Sequence, residues 1–108
     1  MIEDAAQCFG ATQGSAKSCN AALIGSTSFF PSKPLGCYGD GGALFTNDDE
    51  IATWIRKYRN HGMRDRNHIE FWGVNMRLQP LQAVVASRGL DEIEGVVKDI
   101  GVLLSEGA

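Results

Sequence analysis

The chain has 108 residues, 44% of them apolar and 21% charged, with a net charge of −3. That length admits one domain at most, burying roughly 65% of its unfolded surface. The charge leaves no basic stripe for nucleic acid, and no apolar run approaches the ~18 residues needed to cross a bilayer. No signal peptide opens the chain. Cys8, Cys19 and Cys37 are odd in number and form no C-x-x-C pair, so they read as reduced thiols of a cytoplasmic protein. His61 and His68 lie far from them in sequence, which argues against a zinc site.

The opening "MIEDAAQ" is half apolar and acidic, as if Met1 and Ile2 ended a buried strand of something longer. Ser26 to Phe30 is a short β-prone run stopped by Pro31, and Ala43 to Thr46 is a second. Between them Gly36, Gly39, Gly41 and Gly42 form a loop with an Asp40-Gly41 turn, so the simplest arrangement is an antiparallel pair around a lysine-bearing loop. A helix follows, with Asn47 as its cap and Glu50 reaching back from the N3 position. Asp48 and Asp49 suit its positive end, and Arg56, Lys57 and Arg59 its negative end. Ile51, Trp54, Ile55 and Tyr58 make one apolar face, and Gly62 is the stop.

Residues 61–77 are polar and irregular, and a loop of that length in a compact domain is usually functional. Pro80 suits the first turn of a helix whose apolar face carries Leu81, Val84 and Val85, and Gly89 should bend or break it. Leu90, Ile93, Val97, Ile100 and Leu104 give a second stripe. The expected class is α/β, two short antiparallel strands followed by helices, without the alternating units of a complete parallel sheet.

Lys33 is the residue of chemical interest. It is no P-loop lysine, because Pro34 follows it and no glycine immediately precedes it. Gly39-Asp40-Gly41 is no dinucleotide fingerprint, because Leu44 stands where glycine or alanine is required. An S-x-x-K pair fails at Phe30. What remains is a lysine in crowded backbone between two strands. A lysine nucleophile must be poised, partly desolvated and near an electron sink, and pyridoxal phosphate asks for that arrangement. Asp4 is a candidate partner for a pyridinium nitrogen, and Ser28 a candidate donor to phosphate. Each alone has an ordinary reading, as a helix cap or a solvated surface group.

"IEDAAQCFGA", "STSFFPSKPLGCYGDGGALFTND", "IRKYRNHGM" and "GVNMRLQPLQA" resemble consecutive blocks of the DegT/DnrJ/StrS family of sugar aminotransferases, in order and at the family's spacing, to about residue 85. The resemblance implies the aspartate-aminotransferase fold type, pyridoxal phosphate as cofactor and a homodimer. It implies transamination of a nucleotide-linked keto sugar, with glutamate as amino donor. It makes Lys33 the Schiff-base lysine and proton carrier, and Asp4 the pyridine partner. Gln7 would lie near the ring, and Ser28 would bind phosphate. Asn75 would reach a partner subunit's phosphate across the dimer interface. His61 and Arg77 fall in matched blocks without an assigned role. Residues 1–89 would be part of the large domain, and 90–108 a helix leading toward a small one.

The family's other phosphate-binding and ring-stacking elements fall outside these blocks. This chain alone is therefore expected to hold the cofactor weakly and to be inactive alone. The competing reading is a truncated, non-catalytic α+β remnant that folds or self-associates.

Overall fold

The computed structural model describes residues 1–98. Its centre is a three-stranded sheet of β1 (Ile2–Asp4), β4 (Ile24–Ser28) and β5 (Gly42–Phe45), in the order β1-β4-β5. β5 runs antiparallel to β4, with Ser26 opposite Leu44 and Ser28 opposite Gly42, as expected from the sequence. The two strands start two and one residues earlier than the β-prone runs suggested, and β4 ends at Ser28, where Phe29 turns to the glycine loop. Its N–H bonds the Gly41 carbonyl and its carbonyl accepts from Cys37. β1 lies parallel to β4, with Asp4 opposite Ser26. The opening residues are thus a strand, but not a buried one, since Ile2 is 70% exposed.

The connection from β1 to β4 carries a small hairpin, β2 (Thr12–Gln13) with β3 (Ala16–Lys17). The Glu3 carboxylate pins its return, accepting from the N–H groups of Cys19 at 2.8 Å and Ala21 at 2.9 Å. Cys19 has left-handed backbone, φ 69°, at a cost of roughly 1–2 kcal/mol for a side-chain-bearing residue. The charged double bond from Glu3 offsets that strain.

Alternation gives the sheet two unlike faces. Gly25 and Thr27, continued by Phe29, point into the protein. Phe29, Leu35, Cys37 and Ala86 form the core, with Ala43, Leu78, Val85 and Ile93 packed around them. Ile2, Asp4, Ile24, Ser26, Ser28 and Leu44 share the other face, where Ile2 and Leu44 are largely exposed.

The first helix, α1, spans Asp49–Tyr58. Its cap is Asp48 rather than Asn47. Asp48 has extended backbone and its Oδ1 accepts from Glu50 and Ile51, whereas the Asn47 amide donates to Asn20. A carboxylate at the positive helix end combines capping with the dipole interaction, which a neutral amide one place earlier cannot match. The Ile51–Tyr58 face is only partly covered. Trp54 stacks between Tyr58 and Phe71, with centroids 4.8 and 5.6 Å away.

The stretch read as irregular holds a hairpin, β6 (Met63–Asp65) with β7 (His68–Ile69). The Asp65 side chain caps its turn by accepting from the Asn67 N–H. The helix α2 spans Pro80–Leu90 with proline in its first turn, as expected. Its inward face differs from the expected one. Gln82, Val85 and Ala86 face the glycine loop and core, while Leu81 and Val84 are exposed. Ala86 is small enough for Phe29 and Leu35 to close on the helix. α2 runs through Gly89 and breaks at Asp91–Glu92, after which residues 93–98 are helical again. Ile100 and Leu104 of the predicted second stripe lie outside the described residues.

Candidate active site

Parallel pairing of β1 with β4 brings both carboxyl ends to one end of the sheet. Asp4 closes β1 and Ser28 closes β4. In register Asp4 sits beside Ser26, and Ser28 lies one pleat further on the same uncovered face. Open α/β sheets place ligands outside the carboxyl ends of their strands. Gln7 stands exposed in the turn that leaves β1 at that end.

Lys33 leaves the same end. The chain turns at Pro31, the Lys33 N–H bonds the Phe30 carbonyl at 2.9 Å, and Cys37 closes the loop onto Phe29. Leu35 and Cys37, each 2% exposed, anchor the far side, and the Cys37 thiol donates to Phe29 and Gly39 carbonyls. A half-buried lysine is thereby carried on a short loop fixed at both ends in the core. Tyr38 fastens the following glycine loop to α2, its N–H donating to Gln82 Oε1 at 2.8 Å.

Local bonds already orient two of the polar groups. Asp4 Oδ1 accepts from the Ala6 N–H at 3.0 Å, which leaves Oδ2 for another partner. Ser28 Oγ accepts from Phe30 N–H at 3.2 Å, so its hydroxyl hydrogen remains a donor. A carboxylate, a hydroxyl donor and an amine at one sheet end match in kind the pyridine nitrogen, phosphate and aldehyde of pyridoxal phosphate. The donor set fits that group.

The site is a face rather than an enclosed pocket. Two hollows elsewhere are lined by α1 with Glu70 and Phe71, and by Phe9, Lys17 and the end of β5. Neither touches Asp4, Ser28 or Lys33.

Asn75 is not brought to this cluster. It bridges Asn60 at the carboxyl end of α1, and its Oδ1 accepts from Arg77 Nε at 2.9 Å. His61 precedes Gly62, and both have left-handed backbone, φ 63° and 71°. A Cβ on Gly62 would strike the Phe71 carbonyl, and one on Gly73 would strike Gly62 N. These glycines let the 71–76 segment lie against the helix end.

Of the residues that sequence reasoning left without a part, Glu3 and Gln82 brace the connections that flank the site, and Arg77 holds the separate Asn75. Arg77 and Gln82 stood inside recognised blocks, which was the available signal. Glu3 stood inside a block as well, but it acts on backbone groups distant in sequence, and no local pattern reveals that role.

Burial raises the Cys19 thiol above its ordinary pKa, aided by the Glu3 carboxylate and Cys8, which keeps it an unreactive thiol. Among the described residues there is no cluster of metal-ligating side chains, and no helix is long and apolar enough to cross a membrane.

The sequence pattern of the DegT/DnrJ/EryC1/StrS aminotransferase family matches residues 1–100. The chain belongs to that family. It is 56% identical over 94 residues to the UDP-2-acetamido-2-deoxy-3-oxo-D-glucuronate aminotransferase of Pseudomonas aeruginosa, covering 87% of this chain and 26% of that protein. It is 42% identical over 85 residues to the dTDP-3-amino-3,4,6-trideoxy-alpha-D-glucose transaminase of Streptomyces venezuelae, covering 79% of this chain and 22% of that protein. Among solved structures, a family aminotransferase from Brucella abortus superposes with a TM-score of 0.84 at 42% identity, over 87% of this chain and 26% of that one. The chain thus spans about a quarter of the length of the relatives it matches. Members of this aminotransferase family use pyridoxal phosphate. The fold reading, part of the large domain of that fold type, agrees with these superpositions.

Proposed function

We propose that this chain supplies the carboxyl-end core of a pyridoxal-phosphate-dependent aminotransferase acting on a nucleotide-linked keto sugar. One observation carries the reading: β1–β4 pairing sets Asp4 and Ser28 on one uncovered face, at the end from which the Lys33 loop springs. When bound, pyridoxal phosphate supplies an electron sink for charge developing at the carbon that bears the amine.

The chain's own residues then have distinct work. Lys33 Nζ would be the amine that holds the cofactor's aldehyde carbon and, when free, the base and acid that moves a proton at the substrate. The Asp4 carboxylate keeps a proton on the ring nitrogen. Gln7 would lie by the ring, and the Ser28 hydroxyl would donate to phosphate. Asn75, held apart from this cluster, contributes to the phosphate bound by a partner subunit in a homodimer, with glutamate as amino donor. Residues 1–89 belong to the large domain and 90–108 lead toward a small one. Free thiols at Cys8, Cys19 and Cys37 suit the reducing cytoplasm.

The test is covalent trapping. The chain is incubated with pyridoxal phosphate, reduced with borohydride and digested. Peptide mass spectrometry should find the pyridoxyl group on Lys33, and Lys33→Ala should abolish it. Labelling spread over Lys17, Lys33, Lys57 and Lys98 alike would leave a folded remnant with no cofactor site. Grafting residues 1–98 into the Pseudomonas aeruginosa relative in place of the matching stretch tests the activity itself, and Lys33→Ala should silence the graft.

A further inference from the structure

We propose that Arg77 is a positioning residue that locks the Asn75 amide with its oxygen inward and its NH2 group outward, as a donor to an anion. The inference rests on the cofactor reading above, in which that anion is the phosphate of pyridoxal phosphate.

The backbone around Asn75 is fixed first. The last carbonyls of a helix lack partners within it. At the end of α1 two of them are taken by the neighbours of Asn75: Val74 N–H donates to Tyr58 at 2.8 Å, and Met76 N–H to Arg59 at 2.9 Å. Asn75 itself bridges Asn60. Its Cα is therefore held on both sides against a helix end.

The side chain is fixed next. An exposed asparagine amide is broad and roughly two-fold about its last torsion, so alone it turns either end outward. Arg77 removes that freedom. Its Nε donates to Asn75 Oδ1 at 2.9 Å and its NH1 to Asn60 Oδ1 at 3.4 Å. A guanidinium has five donors and no acceptor, so it can hold only the oxygen of each amide. The Asn75 NH2 must then point away from Arg77. An outward oxygen would repel a phosphate, whereas an outward NH2 donates to it.

The experiment measures affinity for pyridoxal phosphate and for pyridoxal, which lacks the phosphate, in the full chain. Arg77→Gln should lower pyridoxal phosphate affinity about tenfold, the effect of one hydrogen bond to a charged group, and leave pyridoxal unchanged. Asn75→Ala should show the same selective loss, and the double variant should lose no more than Asn75→Ala alone. Arg77→Lys keeps the charge without the planar fork and should lose about threefold. It carries the same test if the glutamine variant unfolds. Without cofactor, the Asn75 side-chain amide resonances should shift in Arg77→Gln; identical resonances overturn the positioning role by themselves. An unchanged ratio in Asn75→Ala fails the cofactor reading of Asn75, and this inference with it. A selective loss in Asn75→Ala but not in Arg77→Gln overturns the inference alone. Additive losses in the double variant also overturn it, and assign Arg77 to the anion directly.

Discussion

The two faces of the central sheet share strands and register but obey different rules. On the covered face Phe29 and Ala43 meet Leu35, Cys37 and Ala86, and Thr27 is buried with its hydroxyl donating to the Ala5 carbonyl. On the other face Ile2, Ile24 and Leu44 surround Asp4, Ser26 and Ser28, and Ile2 and Leu44 stand largely in solvent while Ile24 is half-buried. Stability therefore resides on one face and the proposed chemistry on the other. The Lys33 loop joins them, because its anchors are core residues and its amine is not.

The largest effect expected comes from striking the covered face through that loop. Leu35→Ala removes a side chain that is 2% exposed and packs on α2, and should cost about 3 kcal/mol in urea unfolding. Leu44→Ala, on the open face at 54% exposure, should change stability by less than about 0.5 kcal/mol. Equal losses would show that the two faces do not differ as described.

Backbone crowding comes next. Gly62→Ala places a Cβ against the Phe71 carbonyl at φ 71° and should cost about 2 kcal/mol, loosening the 71–76 segment while leaving the sheet intact. Hydrogen exchange read residue by residue checks this. Val74 and Met76 amides should lose protection while those of β4 keep it.

The legibility of the chain in its sequence follows the same division. Features set by local chemistry were readable: the antiparallel β4–β5 pair around the glycine loop, the α1 face and the Pro80 start. Gly62, read as the helix stop, lies beyond the C-cap Arg59. The opening strand was read, but its parallel pairing with β4 was not, because that pairing spans the whole hairpin connection. The β6–β7 turn was hidden because Asp65, Arg66, Asn67 and His68 look like loop residues until the Asp65 side chain is seen capping the turn. Leu81 and Val84 misled because helical apolarity does not say which flank meets the core. The candidate site was legible as residue types and family blocks, yet its assembly depended on the β1–β4 register, which no local pattern encodes.

Smaller effects belong to elements outside both faces. α1 has no fully buried residue, so its cap should matter more than any single member of its apolar face. Asp48→Ala should cost about 1 kcal/mol. Asn47→Ala, which loses only the exposed bond to Asn20, should cost less than about 0.5 kcal/mol. Reversal of that order in thermal unfolding would restore Asn47 as the cap.

The smallest effect belongs to the β6–β7 hairpin, which has no core beneath it. The Asp65 carboxylate lies 2.7 Å from His68 Nδ1 and accepts from Asn67 N–H. The His68 bond, then the Asn67 bond, with Arg64 adding, hold its pKa below the ordinary carboxylate value despite a small opposing desolvation. A carboxylate whose folded pKa is depressed contributes stability above its unfolded pKa and loses it as pH falls through the folded one. The hairpin should accordingly loosen as pH drops through and below the ordinary carboxylate range. Asp65→Asn should remove that dependence. Amide exchange at Asn67, whose N–H the Asp65 carboxylate holds, and at Glu70, compared between wild type and Asp65→Asn across an acid series, checks it. Because the group is solvent-exposed, added salt should flatten the wild-type response. The core amides at Phe29 and Cys37 should stay indifferent to both changes, which separates this uncovered hairpin from the covered face.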